Sequence, residues 1–312
     1  CKPVNKVLQP EPDAARKRGD HAGAADKYAS AAARQKEINV HFPRSMHASE
    51  EKFAEYSALS AESQSRIYAA EIAASDKAFT AAIRAGDFAK ASDLGASLES
   101  RVERFRADFP KSSDITDEDL MRIRYLNFTA ADMPEIRAYV LASLLPLDGG
   151  KKMLKTEVPQ KLYEKIMREN PSRNKSSALN PAESITFEEA KNFCQRLGWI
   201  LRAKADLPTL AEYRGAVGKL RYADNDALSW NGSNSGGETH QIATKKANDR
   251  GFFDLLGNVA EFVADGADSE SCTVIGGGAH TSADSISELP VRSADKNGRR
   301  RMVRFRVTVS EQ

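Results

Sequence analysis

The chain has 312 residues, 41% of them hydrophobic and 29% charged, with a formal net charge of +2. That length holds about two domains of ordinary size, and the near balance of charge excludes the single-sign field of a nucleic-acid or anionic-membrane binder. No apolar run approaches the roughly eighteen residues of a membrane span; the longest, YVLASLLPLDGG, breaks at Pro146.

The chain opens on Cys1 instead of Met. A bacterial secretory signal cut directly before cysteine leaves a residue that carries lipid on its thiol and amine, and firm anchoring takes more than one acyl chain. The other reading is an arbitrary boundary. On the first, residues 1–11 (CKPVNKVLQPE) form a lipid-anchored tether, polar and proline-containing. Lys2 supplies no aspartate-type retention signal, so the expected address is an outer-membrane lipoprotein of a bacterial cell envelope, facing the periplasm or the cell surface.

Residues 12–146 are rich in alanine and lack strand alternation, so they read as helices. An ungapped internal repeat runs through them. GDHAGAADKYASAAARQKEINVHFPRS from Gly19 aligns with GDFAKASDLGASLESRVERFRADFPKS from Gly86. Gly-Asp makes a tight turn in which the aspartate caps the next helix, the alanines permit close packing, and Phe-Pro ends the unit. The unit resembles a tetratricopeptide-type helical hairpin, although the intermediate segment matches poorly and a plain helical bundle is the alternative. Stacked hairpins would expose an extended protein-binding surface. DITDEDL, from Asp114, reads as a cap and first turn of a further helix.

From 147 to 312 the texture changes. LDGGKKMLKTEVP reads as a break between domains or a hairpin. Short helices, long glycine and asparagine loops and brief strands follow. CTVIGGG, from Cys272, is one strand. RMVRFRVTV, from Arg301, is another, where Met302, Arg304, Arg306 and Thr308 alternate with Val303, Phe305, Val307 and Val309 as in a half-buried strand. Cys194 and Cys272 form either one disulfide or two buried thiols, and no CxxC or zinc spacing occurs. The expected architecture is multidomain, with an N-terminal all-α helical hairpin array and a C-terminal α+β domain.

Six segments of that second part, in order, resemble the formylglycine-generating enzyme, or sulfatase-modifying factor, domain. They are KTEVPQKLYEKIMRENPSRNKS (from Lys155), NPAESITFEEAKNFCQRLG (from Asn180), DLPTLAEYRGAV (from Asp206), GFFDLLGNVAEFVAD (from Gly251), VIGGGAH (from Val274) and VRFRVTV (from Val303). The resemblance implies a loop-rich variant of the C-type lectin fold. The catalytic members use two cysteines past a Gly-Gly-Ser-Trp motif to bind copper and oxidise a substrate cysteine, a task suited to soft sulfur. The corresponding positions here fall near Ser282 and Ser287, and no cysteine lies between 273 and 312. No copper is therefore expected, and no catalytic residue is assigned. A second branch of the fold binds iron through histidines, but His240 and His280 are the only histidines of this part.

The resemblance also implies a calcium site built from Asp254, Gly257, Val259 and Glu261, two carboxylates and two carbonyls, all hard oxygen donors. The competing reading holds Glu261 by backbone amides or by an arginine such as Arg304 or Arg306, because a buried carboxylate must be paired or ligated. The aromatic residues that flank the glutamate in the family are Ala260 and Phe262 here, and the tryptophan of the glycine motif is His280. The expected function is a non-enzymatic envelope lipoprotein serving as a scaffold or interaction subunit among other envelope proteins. It would be held to the membrane through lipid on Cys1, with no nucleic acid involved. The alternatives are a divergent metal-dependent oxidase or sulfur-transfer enzyme, and a receptor using C-terminal loops.

Overall fold

The computed structural model describes residues 10–218, 225–268, 270–286, 288–300 and 302–310; Cys1 and Ser287, singled out above, lie outside them. The chain divides into two compact units, residues 1–130 and 131–312. The division falls upstream of the change of texture read at 146/147. It does so because helix α6 (Met133–Ser143) leads without a break into β1 (Leu144–Pro146), a strand of the second unit.

The first unit is wholly helical among its described residues: α1 (Pro10–Lys17), α2 (His21–His41), α3 (Glu50–Ala85), α4 (Phe88–Asp108) and α5 (Asp117–Thr129). The sequence repeat is a structural repeat. Gly19 and Gly86 adopt φ of +79° and +76°, the left-handed turn that favours glycine. Asp20 and Asp87 then cap α2 and α4, accepting from Gly23 N at 2.9 Å and Lys90 N at 3.1 Å. Both helices run 21 residues and stop at the aligned phenylalanines, where Phe42 N donates to Ile38 O and Phe109 N to Phe105 O.

Between the copies the expected pair of short helices is replaced by one. α3 alone has 36 residues, longer than a whole tetratricopeptide unit of about 34, so that unit is not the repeat of this region. A helix of this length rises about 54 Å, enough to bring both copies against one rod. Gly95 marks the closest packing, since a Cβ there would lie 3.0 Å from the Phe79 ring and from Asn127 Oδ1. The DITDEDL segment caps α5 as its residues suggest: Thr116 Oγ1 accepts from Asp119 N, and the Asp119 carboxylate accepts from Thr116 N.

The second unit is α+β. After α6 and β1 come β2 (Lys152–Leu154), α7 (Gln160–Met167), α8 (Phe187–Leu201), β3 (Lys204–Asp206), α9 (Leu210–Val217), α10 (Asn225–Leu228), β4 (Ala260–Val263), β5 (Ser271–Ile275), α11 (Ala283–Ile286), β6 (Val291–Asp295), β7 (Val303–Arg304) and β8 (Thr308–Ser310). One sheet has the order β1-β2-β8-β3 and the other β6-β5-β4-β7, with β4 and β7 parallel. LDGG is a hairpin turn joining β1 to β2, closed by Leu147 N to Lys151 O at 2.8 Å. The C-terminal segment links the two sheets: β7 ends at Arg304, and β8 begins at Thr308 beside β2 and β3.

That segment departs from the half-buried pattern its alternation suggests. Phe305 and Val307 are buried, but Arg304 and Arg306 on the other register are 1% and 0% exposed. The arginines point into protein because carboxylates wait for them there. An aromatic core backs the opposite side, with Phe305 edge-on to Phe193 and Phe193 stacked on Tyr163. Cys194 and Cys272 are both buried and free.

Candidate functional site

The segment 251–265 is built by close backbone contact. At Gly257 a Cβ would lie 2.3 Å from Trp230 O, so only glycine fits. Asp254 and Asn258 hold φ of +57° and +62°, a left-handed conformation that Asp and Asn tolerate better than most residues. Asn258 knots three loops together. Its Nδ2 donates to Glu157 Oε1 and His240 O, its Oδ1 accepts from His240 N, and its backbone joins Trp230 O and Ala279 N.

From this knot β4 carries Glu261 inward, where Arg306 meets it. Arg306 Nη2 lies 2.6 Å from Glu261 Oε1 and its Nε 2.7 Å from Oε2, with both side chains fully buried. The remaining guanidinium protons reach Leu154 O, Lys155 O and Phe253 O. The Tyr213 hydroxyl lies 2.9 Å from Leu255 O and 3.1 Å from Glu261 Oε1, so its one proton serves two acceptors. Of the two carriers for Glu261's charge read from the sequence, the arginine is present, and it is Arg306.

Glu157, Asp254 and Glu261 face Arg304 and Arg306, three buried acids against two buried bases. The imbalance resolves by protonation. Burial first, and then the charges of Asp254 and Glu261, raise Glu157 well above the ordinary carboxylate range. Burial also pushes Asp254 up to about 6, opposed by the Ala243 N–H that its Oδ2 accepts at 2.8 Å. Burial works against the charge of Arg306, yet Glu261 holds that guanidinium more firmly protonated than usual. Arg304 is lowered to about 10 by burial, with Glu157 and Glu183 acting the other way. Glu157 Oε2, Asp254 Oδ1 and Arg304 Nε and Nη1 have no hydrogen-bond partner among the described residues.

The four residues assigned to calcium separate on this geometry. Asp254 and Glu261 share the buried cluster, while Gly257 O accepts from Val259 N at 2.7 Å within its own turn. Asp254 Oδ1 is an open donor of the right kind. Glu261 is not, because both its oxygens already bind Arg306. A dication there would face a guanidinium, and the set does not fit calcium as it stands. Among the described residues, no three His, Cys, Asp or Glu groups are placed to hold a metal ion.

Sulfur chemistry has no residues beside the glycine turn. Ser282 is exposed, its hydroxyl 2.9 Å from Ser285 Oγ. Burial raises the thiols of both Cys194 and Cys272, away from the thiolate a soft metal requires. His240 is stacked on Trp230 with ring centroids 3.6 Å apart, and its Nε2 is 2.9 Å from Ser235 O. His280 stands apart, exposed beside Gly237. Glu157 and Tyr213 were missed by sequence reasoning, which weighed only carboxylates near the glycine motifs. The one available signal was a glutamate between Thr156 and Val158, both buried.

The cluster is a structural charge core, and it ties the family motifs to one another. Residues 152–310 match the family described as sulfatase-modifying factor enzyme 1-like domain. No curated protein matches the chain. Among solved structures it is similar to Treponema denticola variable protein 1, with 21% identity, a TM-score of 0.47, and 54% of this chain and 91% of that one covered. It is also similar to PvdO from Pseudomonas aeruginosa, at 17% identity and a TM-score of 0.43, covering 51% of this chain and 80% of that one. A third, CarF, shows 15% identity and a TM-score of 0.40, with 52% and 87% covered. The family match spans just over half the chain and contains Glu157, Asp254, Glu261, Arg304 and Arg306, and on it the chain belongs to the sulfatase-modifying factor enzyme 1-like domain family.

Proposed function

We propose that the chain is a non-enzymatic interaction subunit of a bacterial envelope assembly, tethered through lipid on Cys1. One observation carries the reading: the glycine turn leads to Ser282 where the family resemblance implies a thiolate, and a serine hydroxyl does not hold Cu(I). The thiols the domain does have are buried and free, so neither can be drawn into an open metal site without unpacking the core. No helix is long and apolar enough to cross a membrane among the described residues, and the proposed attachment is accordingly the lipid. The helical unit and the loops around the glycine turn would then supply protein-binding surfaces.

Mild crosslinking in cells, affinity recovery of the anchored protein and mass spectrometry test the proposal. Recovery of a defined set of envelope proteins, together with a diacyl- or triacyl-modified Cys1 peptide, is the expected result. Aerobic oxidation of cysteine peptides by the copper-loaded protein would overturn the reading. Thermal unfolding with millimolar calcium and with a chelator should coincide, since Arg306 occupies the carboxylate that calcium would need.

A further inference from the structure

The second sheet carries a cavity of about 470 Å3, half-open to solvent, on the face opposite Glu261. Its floor follows from the strand register. Phe262 pairs with Val274 and Val274 with Arg292, so these side chains share one face. Ala260 and its partner Val303 continue that face beyond Phe262. Ala260 is small where its neighbour Phe262 is large, and the floor of Ala260, Val274, Val303 and Gly278 is left open and apolar. Met302 adds a thioether wall, and His280 with Thr281 closes another side.

Arg292 and Arg300 stand on the same lining, and no carboxylate does. Neither guanidinium enters an ion pair among the described residues. Arg292 Nη2 reaches only Gly276 O, at a long 3.4 Å. The other arginines of the region are spent: Arg299 lies on Glu189 and Ser184 O, and Arg306 on Glu261. Both Arg292 and Arg300 are exposed, so their heads are free to turn over the cavity mouth. The volume falls within the range of small-molecule sites, about 300–1,000 Å3. An apolar floor under two unpaired, planar donors matches one chemistry, a carboxylate on an apolar stem.

We infer that this cavity binds an amphipathic organic acid, its stem on Ala260, Val274 and Val303 and its carboxylate between Arg292 and Arg300. The inference stands apart from the interaction-subunit proposal: the protein could serve an assembly with this site empty, or bind such an acid alone. The carboxylate could belong to a free acid or to the C-terminus of a peptide, and the two sources separate in one titration.

Calorimetric titration of the full chain with octanoate, octanamide, acetate and an N-acetylated tripeptide ending in leucine tests it. Saturable one-to-one binding of octanoate or the tripeptide is expected, with octanamide and acetate each at least roughly tenfold weaker, the scale of one charge-assisted contact or a few buried methylenes. The tighter of the two acids identifies the source. R292Q and R300Q should each weaken binding by roughly tenfold with an unchanged circular dichroism spectrum. A260F, which fills the floor, should abolish it. Absence of saturable binding by either acid to the folded parent chain overturns the inference, as does octanamide binding as well as octanoate. Equal binding by the parent and both glutamine variants does the same.

Discussion

The two units solve the burial of charge in opposite ways. In the helical unit the ion pairs lie outside: Arg101 with Glu71 and Arg66 with Glu62 are a third or more exposed, while the interior is Phe79, Ile83, Leu98, Val102 and Phe105. In the α+β unit Arg306 and Glu261 meet with no exposure at all, and Arg304, Glu157 and Asp254 join them. Helices satisfy their own backbone and need only apolar faces to pack. A loop-rich domain lacks that economy. Its buried carbonyls at Leu154, Lys155 and Phe253 need donors, and one guanidinium supplies all three while its charge is balanced by Glu261.

The contrast breaks most visibly at Arg306. Arg306→Met strands a carboxylate in the core and should destabilise the α+β unit by about 3–5 kcal/mol. Adding Glu261→Gln should recover part of that loss. Denaturant unfolding, followed by a probe in the second unit, measures both. A double variant no more stable than the single one would mean that the pair is not the keystone of this core.

Asp254 comes next. Its carboxyl titrates at about 6 in the folded chain against an ordinary 3.8. The unfolded chain gives up that proton first, so stability carries no penalty from this group below about pH 4, falls as pH rises through the interval up to 6, and stays lowered above it. Asp254→Asn should remove on the order of 2 kcal/mol of that loss, seen as a smaller drop in stability between pH 4.5 and 7.5.

Smaller effects belong to the helices. Asp87→Ala removes the cap of α4 and should cost about 1 kcal/mol, and Asp20→Ala should do the same for α2, a direct check that the two copies are energetic as well as geometric repeats. Arg101→Ala breaks a partly exposed pair with Glu71 and should change stability by less than about 1 kcal/mol. A loss as large as that from Arg306→Met would erase the distinction between the units.

Much of the helical unit was legible in residues. Gly-Asp at 19–20 and 86–87, Thr116 with Asp119, and the closing phenylalanines are local signals, and local hydrogen bonds obey them. What failed there was the segment between the copies, where a hairpin was expected. It contains no glycine or proline to break α3, and the rod runs on for 36 residues. In the second unit the motifs and their order were legible, and Arg306 was named as one of the carriers for Glu261. The alternation of 301–309 misled, because period-two patterning equates charged with exposed and cannot see an acid arriving from another strand. The cavity was equally hidden, since Ala260, Val274, Arg292 and Val303 become neighbours only through strand register.

By itself the sequence determined the class of each half, the repeat, the helix caps, the family, and the lack of cysteine beyond the glycine turn, because each depends on residue identity and short-range geometry. Tertiary structure alone decided which charge neutralises Glu261, that Glu157 and Asp254 are raised by burial beside it, and that two arginines remain unpaired over an apolar floor. Electrostatic interactions in a desolvated core depend on distance through space, and residues 157, 254, 261 and 306 are near one another only after the sheets have formed.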